Sequence, residues 1–364
     1  MTPPIPDRIH SALISEGLDL QRYAAGVQIR VDAILNQLGK DLVSELANAG
    51  LDTPRTAWRQ ARLRALLKAA GTQIDDAYQG IQGVTGAELP ELVRITGAGV
   101  TTAINDAIGA KLMVAPKWTG EQLASIAGDA LIKGAPSAEW WSRQSVGFQQ
   151  AFADSMRQGM LRGETITEMR DRILPKVDLR RIAPESRPLI WTARRNAEAL
   201  ARTSVMAVAN DAHMAAYAAN SDIIASLQWI ATLDPRTCPS CGAQDLQTWE
   251  MGQGHIVPPL HFGCRCAVVP ITKSWEQLAR EAHGNSTLAK ELDKIPIGDR
   301  ASMNGPVSGD TSFESFFDGQ NRTWQEEYLG PGRMRLYESG KLGLSDMTDG
   351  KGSPYTLEQL RGRK

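Results

Sequence analysis

Apolar residues recur at three- and four-residue intervals over most of the first 220 positions, the period of an amphipathic helix. Between Arg22 and Asn48, the residues Val27, Val31, Ile34, Leu35, Leu38 and Leu42 fall on one face. Gly50 stands where a helix closes in the left-handed conformation. Asp52-Thr53-Pro54 opens a second helix, with a capping side chain ahead of a proline near the first turn. Its apolar stripe is Leu63, Leu66, Leu67 and Ala70, with Arg55, Arg59 and Arg62 on one flank and Arg64 and Lys68 on the other. Glycines at 83, 86, 97, 99, 109, 120, 128 and 134 predict a succession of short, broken helices over 75–135. A helix over 138–161 follows and ends at Gly163. It carries Trp140-Trp141, which point about 100° apart on a helix, so core packing of both competes with one outward-facing ring. Thr165-Ile-Thr-Glu168 is a capping box for the next helix, with Ile166, Met169 and Ile173 on its buried side and Pro175 as its stop. Three prolines make 175–188 a linker, and a long alanine-rich helix covers 189–219.

The period then changes. Leu227-Gln-Trp229-Ile-Ala231-Thr alternates as a strand, Asp234-Pro-Arg-Thr is a turn, and Ala267-Val-Val-Pro-Ile271 is a second apolar strand. A short helix is expected over 274–282, and a glycine- and serine-rich loop over 296–312. The last fifty residues read as a helix near 324–328, a Gly330-Pro-Gly332 break and a short helix near 333–338. The pattern predicts a mainly α chain: a helical region over 1–150, an α+β domain over 151–295 with a small β unit, and a loop plus terminal segment over 296–364.

Composition adds limits. The chain has 364 residues, 42% hydrophobic and 22% charged, with a formal net charge of −1. That length allows two or three folding units. A near-neutral chain has no global basic field, so any nucleic-acid contact must use local patches. The first residues lack the basic and apolar segments of a signal peptide, and no apolar run reaches the roughly 18 residues of a membrane span.

The chemistry is concentrated in one place. All four cysteines fall within 29 residues: Cys238-Pro-Ser-Cys241, then nineteen residues, then His261-Phe-Gly-Cys264-Arg-Cys266. Thiolates and an imidazole at these spacings are what a tetrahedral zinc site uses. Five donors (Cys238, Cys241, His261, Cys264 and Cys266) compete for about four places. One or two disulfides, or plain buried thiols, are the competing readings. A zinc staple would hold together a β unit too small to be stable on its own apolar burial. A catalytic zinc keeps an open position, and here donors are in surplus. His255 sits in a Gly-Gln-Gly-His loop and reads as a solvated histidine.

The segment from Trp229 through Asp234, Thr237, Cys238 and Cys241, followed by Pro258-Pro259-Leu-His261-Phe-Gly-Cys264-Arg265-Cys266, resembles the Mu F-like minor head proteins of tailed bacteriophages. Three other blocks are similar to that family: Gln158-Gly-Met-Leu-Arg-Gly163 with the 166–173 helix, Arg202-Thr203 followed by Asn210, and Trp324 through Leu344. The likeness runs over 150–360, and the first 150 residues carry no assigned motif. It implies a structural protein of the virion, present in low copy at the portal vertex inside the capsid. In the host cytoplasm it would act in head assembly, with roles in DNA packaging or ejection. The implied partners are the portal protein, phage DNA, and the scaffolding or major capsid protein.

Between Arg170 and Arg195 eight basic residues stand against three acidic ones. Arg170, Arg172, Lys176, Arg180, Arg181, Arg194 and Arg195 are the candidate DNA- or portal-binding set, with solvated charge as the alternative. No phosphate-binding Gly-x-x-x-x-Gly-Lys-Ser/Thr loop and no Gly-x-Ser-x-Gly elbow is present. A zinc-dependent nuclease would need a metal-bound histidine pair and a base, and only His255 and His261 lie near the cysteines. That enzyme, and a non-viral zinc-containing interaction module, are the alternatives to a structural head protein.

Overall fold

The computed structural model describes residues 5–51, 56–108, 111–174, 187–273, 299–302, 305–308, 311–349 and 352–363. The chain is mainly α-helical with small antiparallel sheets. Helix α1 is Ile5–Asn48 and α2 is Thr56–Ile108, followed by α3 (Gly120–Asp129), α4 (Ser137–Arg162), α5 (Ile166–Ile173) and α6 (Leu189–Ala218). Between α3 and α4, Leu131–Ile132 (β1) and Ala135–Pro136 (β2) form a hairpin. Its turn residues Lys133 and Gly134 both have positive φ, 50° and 81°, as a tight two-residue hairpin requires.

The chain divides into two compact units, neither contiguous in sequence: 21–90 with 128–205, and 1–20 with 91–127 and 206–364. Helices α1, α2 and α6 each contribute residues to both. In the first unit the buried stripe of α1 is Ala24, Val27, Val31, Leu35, Leu38, Leu42 and Leu46, a three-four alternation along one face. Gly50 follows at φ 58°, and Arg62 of α2 donates to the Gly50 carbonyl at 2.7 Å. One of the predicted flanking arginines thus closes the C-terminus of α1. The side chains of Arg55 and Arg59 lie outside the described residues.

The predicted break-up is corrected over 75–108, while the short helix α3 and the Gly134 turn stand as expected beyond it. Helix α2 runs unbroken for 53 residues, through Pro90 and every glycine up to Gly99. Its buried positions Leu66, Ala70, Ile74, Tyr78, Ile81, Leu89, Val93, Val100 and Ile104 continue one face throughout. A helical glycine costs about 1 kcal/mol, and burial of each large apolar residue returns about 1.5–3 kcal/mol. Propensity therefore loses to packing.

Helix α4 closes at Gly163, φ 70°, and Thr165 and Glu168 form the complete capping box of α5. Gly159 permits the close packing of these two helices, because a Cβ there would lie 2.8 Å from Met169 Cγ. Of the tryptophan pair, Trp141 is buried. Trp140 donates from Nε1 to the Ile132 carbonyl at 2.7 Å, with the Arg143 guanidinium over its ring.

The second unit contains a three-stranded antiparallel sheet in the order β4-β3-β5: Thr248–Glu250, Ile224–Ile230 and Ala267–Thr272. Trp229 pairs with Val268 and Leu227 with Trp249. The core beside this sheet includes Ile9, Leu13, Val100, Ile104, Tyr217, Leu227, Trp229 and Val268. Asn220 acts as a clamp for the loop after α2: its Oδ1 accepts from Val114 N at 2.7 Å and its Nδ2 donates to Val114 O and Ala216 O.

The predicted 296–312 loop is also corrected. Asp299–Ser302 (β6) and Gly305–Ser308 (β7) pair as an antiparallel hairpin. The expected 274–282 helix lies outside the described residues. Toward the C-terminus come α8 (Phe313–Asp318), α9 (Arg322–Glu338), a 3-10 turn over Leu344–Met347 and α10 (Leu357–Gly362). The Gly330-Pro-Gly332 break is real: Gly330 has φ 74°, ψ 157° inside α9. Gly332 leaves room for Leu357, whose Cδ1 would lie 2.5 Å from a Cβ there. Among the described residues no helix is long and apolar enough to cross a membrane.

Candidate metal centre

The sequence from β3 to β5 folds so that its two cysteine pairs meet. After β3, Thr237 N donates to the Asp234 carbonyl at 3.1 Å and Arg236 N to Asp234 Oδ1 at 2.8 Å, which turns the chain back. Cys238 then caps the short helix α7 (Pro239–Ala243), its Sγ accepting from Cys241 N at 3.4 Å, with Pro239 in the first turn. The second pair arrives on a turn made by Gly263 at φ 77°, with Cys264 N donating to the His261 carbonyl at 3.1 Å.

Asp234 and Arg265 lock the two halves together. Arg265 Nη2 donates to Asp234 Oδ1 at 2.7 Å, and Nη1 donates to Oδ2. Thr232 Oγ1 donates to the Arg265 carbonyl at 3.0 Å, and Thr237 Oγ1 donates to the Thr232 carbonyl. Burial raises the Asp234 carboxyl, but the hydrogen bonds and charge of Arg265 and Arg236 outweigh it and leave the group below its ordinary value. From α6, Asn210 Nδ2 donates to the Pro258 carbonyl at 3.2 Å, fixing the loop that leads to His261 across the cis Pro258-Pro259 bond.

All five predicted donors converge. Cys238, Cys241 and His261 form one group and Cys241, Cys264 and Cys266 another, the donor atoms of each lying within 4.8 Å of one another. Cys241 belongs to both. Cys241 Sγ is 3.4 Å from His261 Nε2 and 3.7 Å from Cys264 Sγ. A tetrahedron with Zn–S near 2.3 Å and Zn–N near 2.0 Å has edges of about 3.8 Å between sulfurs and about 3.5 Å from sulfur to nitrogen. The two separations match those edges, and the sulfur pair is far beyond the disulfide bond length of about 2.05 Å. The four cysteines are free, and Cys241, Cys264 and Cys266 are buried.

His261 Nδ1 lies 2.9 Å from the Phe262 carbonyl. Donation from Nδ1 to that carbonyl orients Nε2 toward Cys241, and a metal would take the place of the proton on Nε2. Hydrogen bonds from Cys241 and His261, against the opposing effect of burial, hold the Cys238 thiol down to about 4. The sulfurs of Cys238 and Cys264 push His261 up to about 10. Cys241 is raised by the thiols around it. Neighbouring sulfurs thus share protons that a divalent cation can replace. These residues fit zinc.

His255 is not among the clustered donors: its ring stacks on Trp249 at 4.0 Å and its Nδ1 lies 2.8 Å from the Ile256 carbonyl. The C-terminal helices supply a cover. Phe313 of α8 and Tyr328 of α9 both approach Gly242, where a Cβ would lie 2.8 Å from Phe313 Cδ1 and 2.9 Å from the Tyr328 hydroxyl. Asp245 Oδ1 accepts from Ala231 N and its Oδ2 from Phe313 N, tying the knuckle to α8.

The basic candidates behave differently. Arg172 forms a bidentate pair with Glu164, and Arg194 another with Asp32. Arg170 pairs with Asp171 and Arg195 with Glu198. Arg187 lies over the Trp191 ring at 4.2 Å. Lys176, Arg180 and Arg181 lie outside the described residues.

Residue type alone did not mark Asp234, Thr232, Thr237, Arg265, Asp245 or Tyr328 as functional. The signal available for three of them was their place in the motif: Asp234, Thr237 and Arg265 flank the cysteines at fixed offsets.

Residues 150–269 match the family model described as Phage Mu protein F like protein, so this part of the chain is similar to the Mu F-like phage head proteins. The matched residues begin inside α4 and end inside β5, so the C-terminal block over 324–344 lies beyond them. No curated protein and no solved structure matches the chain.

Proposed function

We propose that this chain is a structural minor head protein of a tailed phage or prophage, located in the virion at the portal vertex inside the capsid. The observation that carries the reading is the family match over 150–269, which contains the whole of the cysteine cluster. In this reading zinc is a structural staple of the β unit, held by four of Cys238, Cys241, His261, Cys264 and Cys266. Five candidate donors for four positions favour a closed site over one that opens a position to substrate. The region over 1–150 is the portal- or capsid-facing part, and the basic set from Arg170 to Arg195 faces DNA or portal.

The test is co-expression of the full chain with the portal protein encoded in the same phage or prophage genome, followed by size-exclusion chromatography of tagged portal. Co-elution with the portal ring is the expected result. Two separate peaks for the full chain would remove the portal assignment. Cleavage of plasmid DNA by the purified chain would transfer the reading to the nuclease alternative.

A further inference from the structure

One arginine of the basic region is held differently from its neighbours. Arg170, Arg172, Arg194 and Arg195 pair with carboxylates. Arg187 is exposed, and among the described residues no carboxylate meets it. Its partner is a ring: the guanidinium lies 4.2 Å from the centroid of Trp191, which is half-buried in the first turn of α6. Arg195 reaches the same ring at 5.9 Å, but Glu198 holds it at 3.1 Å and holds Arg202 at 2.8 Å. A guanidinium lying over a ring uses its face. The N–H groups around its edge keep the fork that matches two oxygens of a phosphate or a carboxylate. The ring also restrains a long side chain, so less ordering is left to be lost when an anion binds.

The surroundings decide which anion fits. Helix α6 exposes no large apolar side chain, whereas the centre of a protein–protein interface is apolar and depleted of charge. Interfaces with nucleic acid are polar and positively charged. A single strand would need a bare aromatic face for its bases to stack on, and the Arg187 guanidinium already lies over this ring. We propose that Arg187 contacts the phosphodiester backbone of duplex DNA without reading bases, and that Trp191 is the positioning residue that holds its guanidinium ready. The inference rests on the reading above that the basic region faces DNA, and it narrows that face to one anchor and its support.

The experiment uses the full chain as wild type, Arg187→Gln, Trp191→Leu and Trp191→Phe, with labelled DNA followed by fluorescence anisotropy over a salt series. Wild type should bind two duplexes of unrelated sequence equally, and a single strand of the same length no more tightly. Arg187→Gln removes one phosphate contact and should flatten the slope of log K against log salt by about one. Trp191→Leu keeps the charge, so it should weaken binding about fivefold at an unchanged slope. Trp191→Phe keeps a ring and should recover most of that loss. A wild-type slope in Arg187→Gln would overturn the proposal and leave DNA to the other basic residues. Equal affinities for Trp191→Leu and Trp191→Phe would overturn the positioning role. Tighter binding of the single strand would overturn the backbone contact, since bases would then be stacking on Trp191. If Arg187→Gln binds DNA as wild type does but no longer co-elutes with portal, the proposal falls and the arginine meets an acidic protein surface instead. A wild-type chain that binds no DNA would overturn the proposal together with the DNA reading.

Discussion

Asp234 and Arg265 sit between the two cysteine pairs, and their geometry makes them more than a surface ion pair. The Asp234 side chain is 11% exposed and that of Arg265 23%. Removing one partner strands the other in a poorly solvated place, which costs about 2–3 kcal/mol for a pair not fully buried. Arg265→Ala should therefore lower unfolding free energy by about that amount, measured by denaturant titration at pH 7. The pH dependence has a definite sign. Asp234 is held below its ordinary value near 3.8, so its contribution is present above that pH and is lost as pH falls through the folded value. The gap between wild type and Arg265→Ala should narrow below about pH 4. A gap that stays constant down to about pH 2.5 would mean that the clasp is not what the substitution removes. The motif set both residues beside the cysteines at fixed offsets, but that this aspartate and this arginine, 31 positions apart, pair with each other became visible only in the fold.

At the scale of elements, what was legible was what local chemistry decides. The capping box at Thr165, the closing Gly163, the alternating strand at Trp229 and the Gly330 break all rest on interactions within a few residues, and each is found in place. Helix α2 shows the opposite case. Its glycines read as breaks because the stripe that holds the helix continuous is built from partners distant in sequence. The glycines themselves are of two kinds. A Cβ on Gly83 would meet nothing within 4 Å, while one on Gly97 would lie 2.4 Å from the Trp118 ring. Gly83→Ala should stabilise the chain by about 0.5–1 kcal/mol through helix propensity. Gly97→Ala should destabilise it by about 1–3 kcal/mol through overpacking. Thermal melts of the two variants settle the point: equal shifts of the same sign would show that helix propensity alone governs both positions. The β6–β7 hairpin was missed for a related reason, since Gly305 and the serines around it are turn formers first and strand residues only once paired.

For the whole molecule, a net charge of −1 confines any DNA contact to a patch, and the internal pairing of the basic region narrows that patch. Arg172 and Arg194 are spent on Glu164 and Asp32, and Arg170 and Arg195 on Asp171 and Glu198. A guanidinium already bonded to a carboxylate releases few counterions on meeting a phosphate. If the region from Arg170 to Arg195 faces packaged DNA, the contact then falls on Lys176, Arg180, Arg181 and Arg187. Affinity for duplex DNA, followed by fluorescence anisotropy over a salt series, distinguishes the two groups. Arg180→Glu with Arg181→Glu should weaken binding and flatten the slope of log K against log salt by about two, one for each phosphate no longer neutralised. Arg194→Gln should leave the slope alone and instead lower stability, because it breaks the bond between α6 and Asp32 of α1. An unchanged slope in the double variant removes DNA from this face and leaves the portal as its partner. A slope that falls equally in Arg194→Gln would show that the Asp32 pair opens to admit phosphate, and that the ion pairs hold the patch in reserve rather than neutralise it.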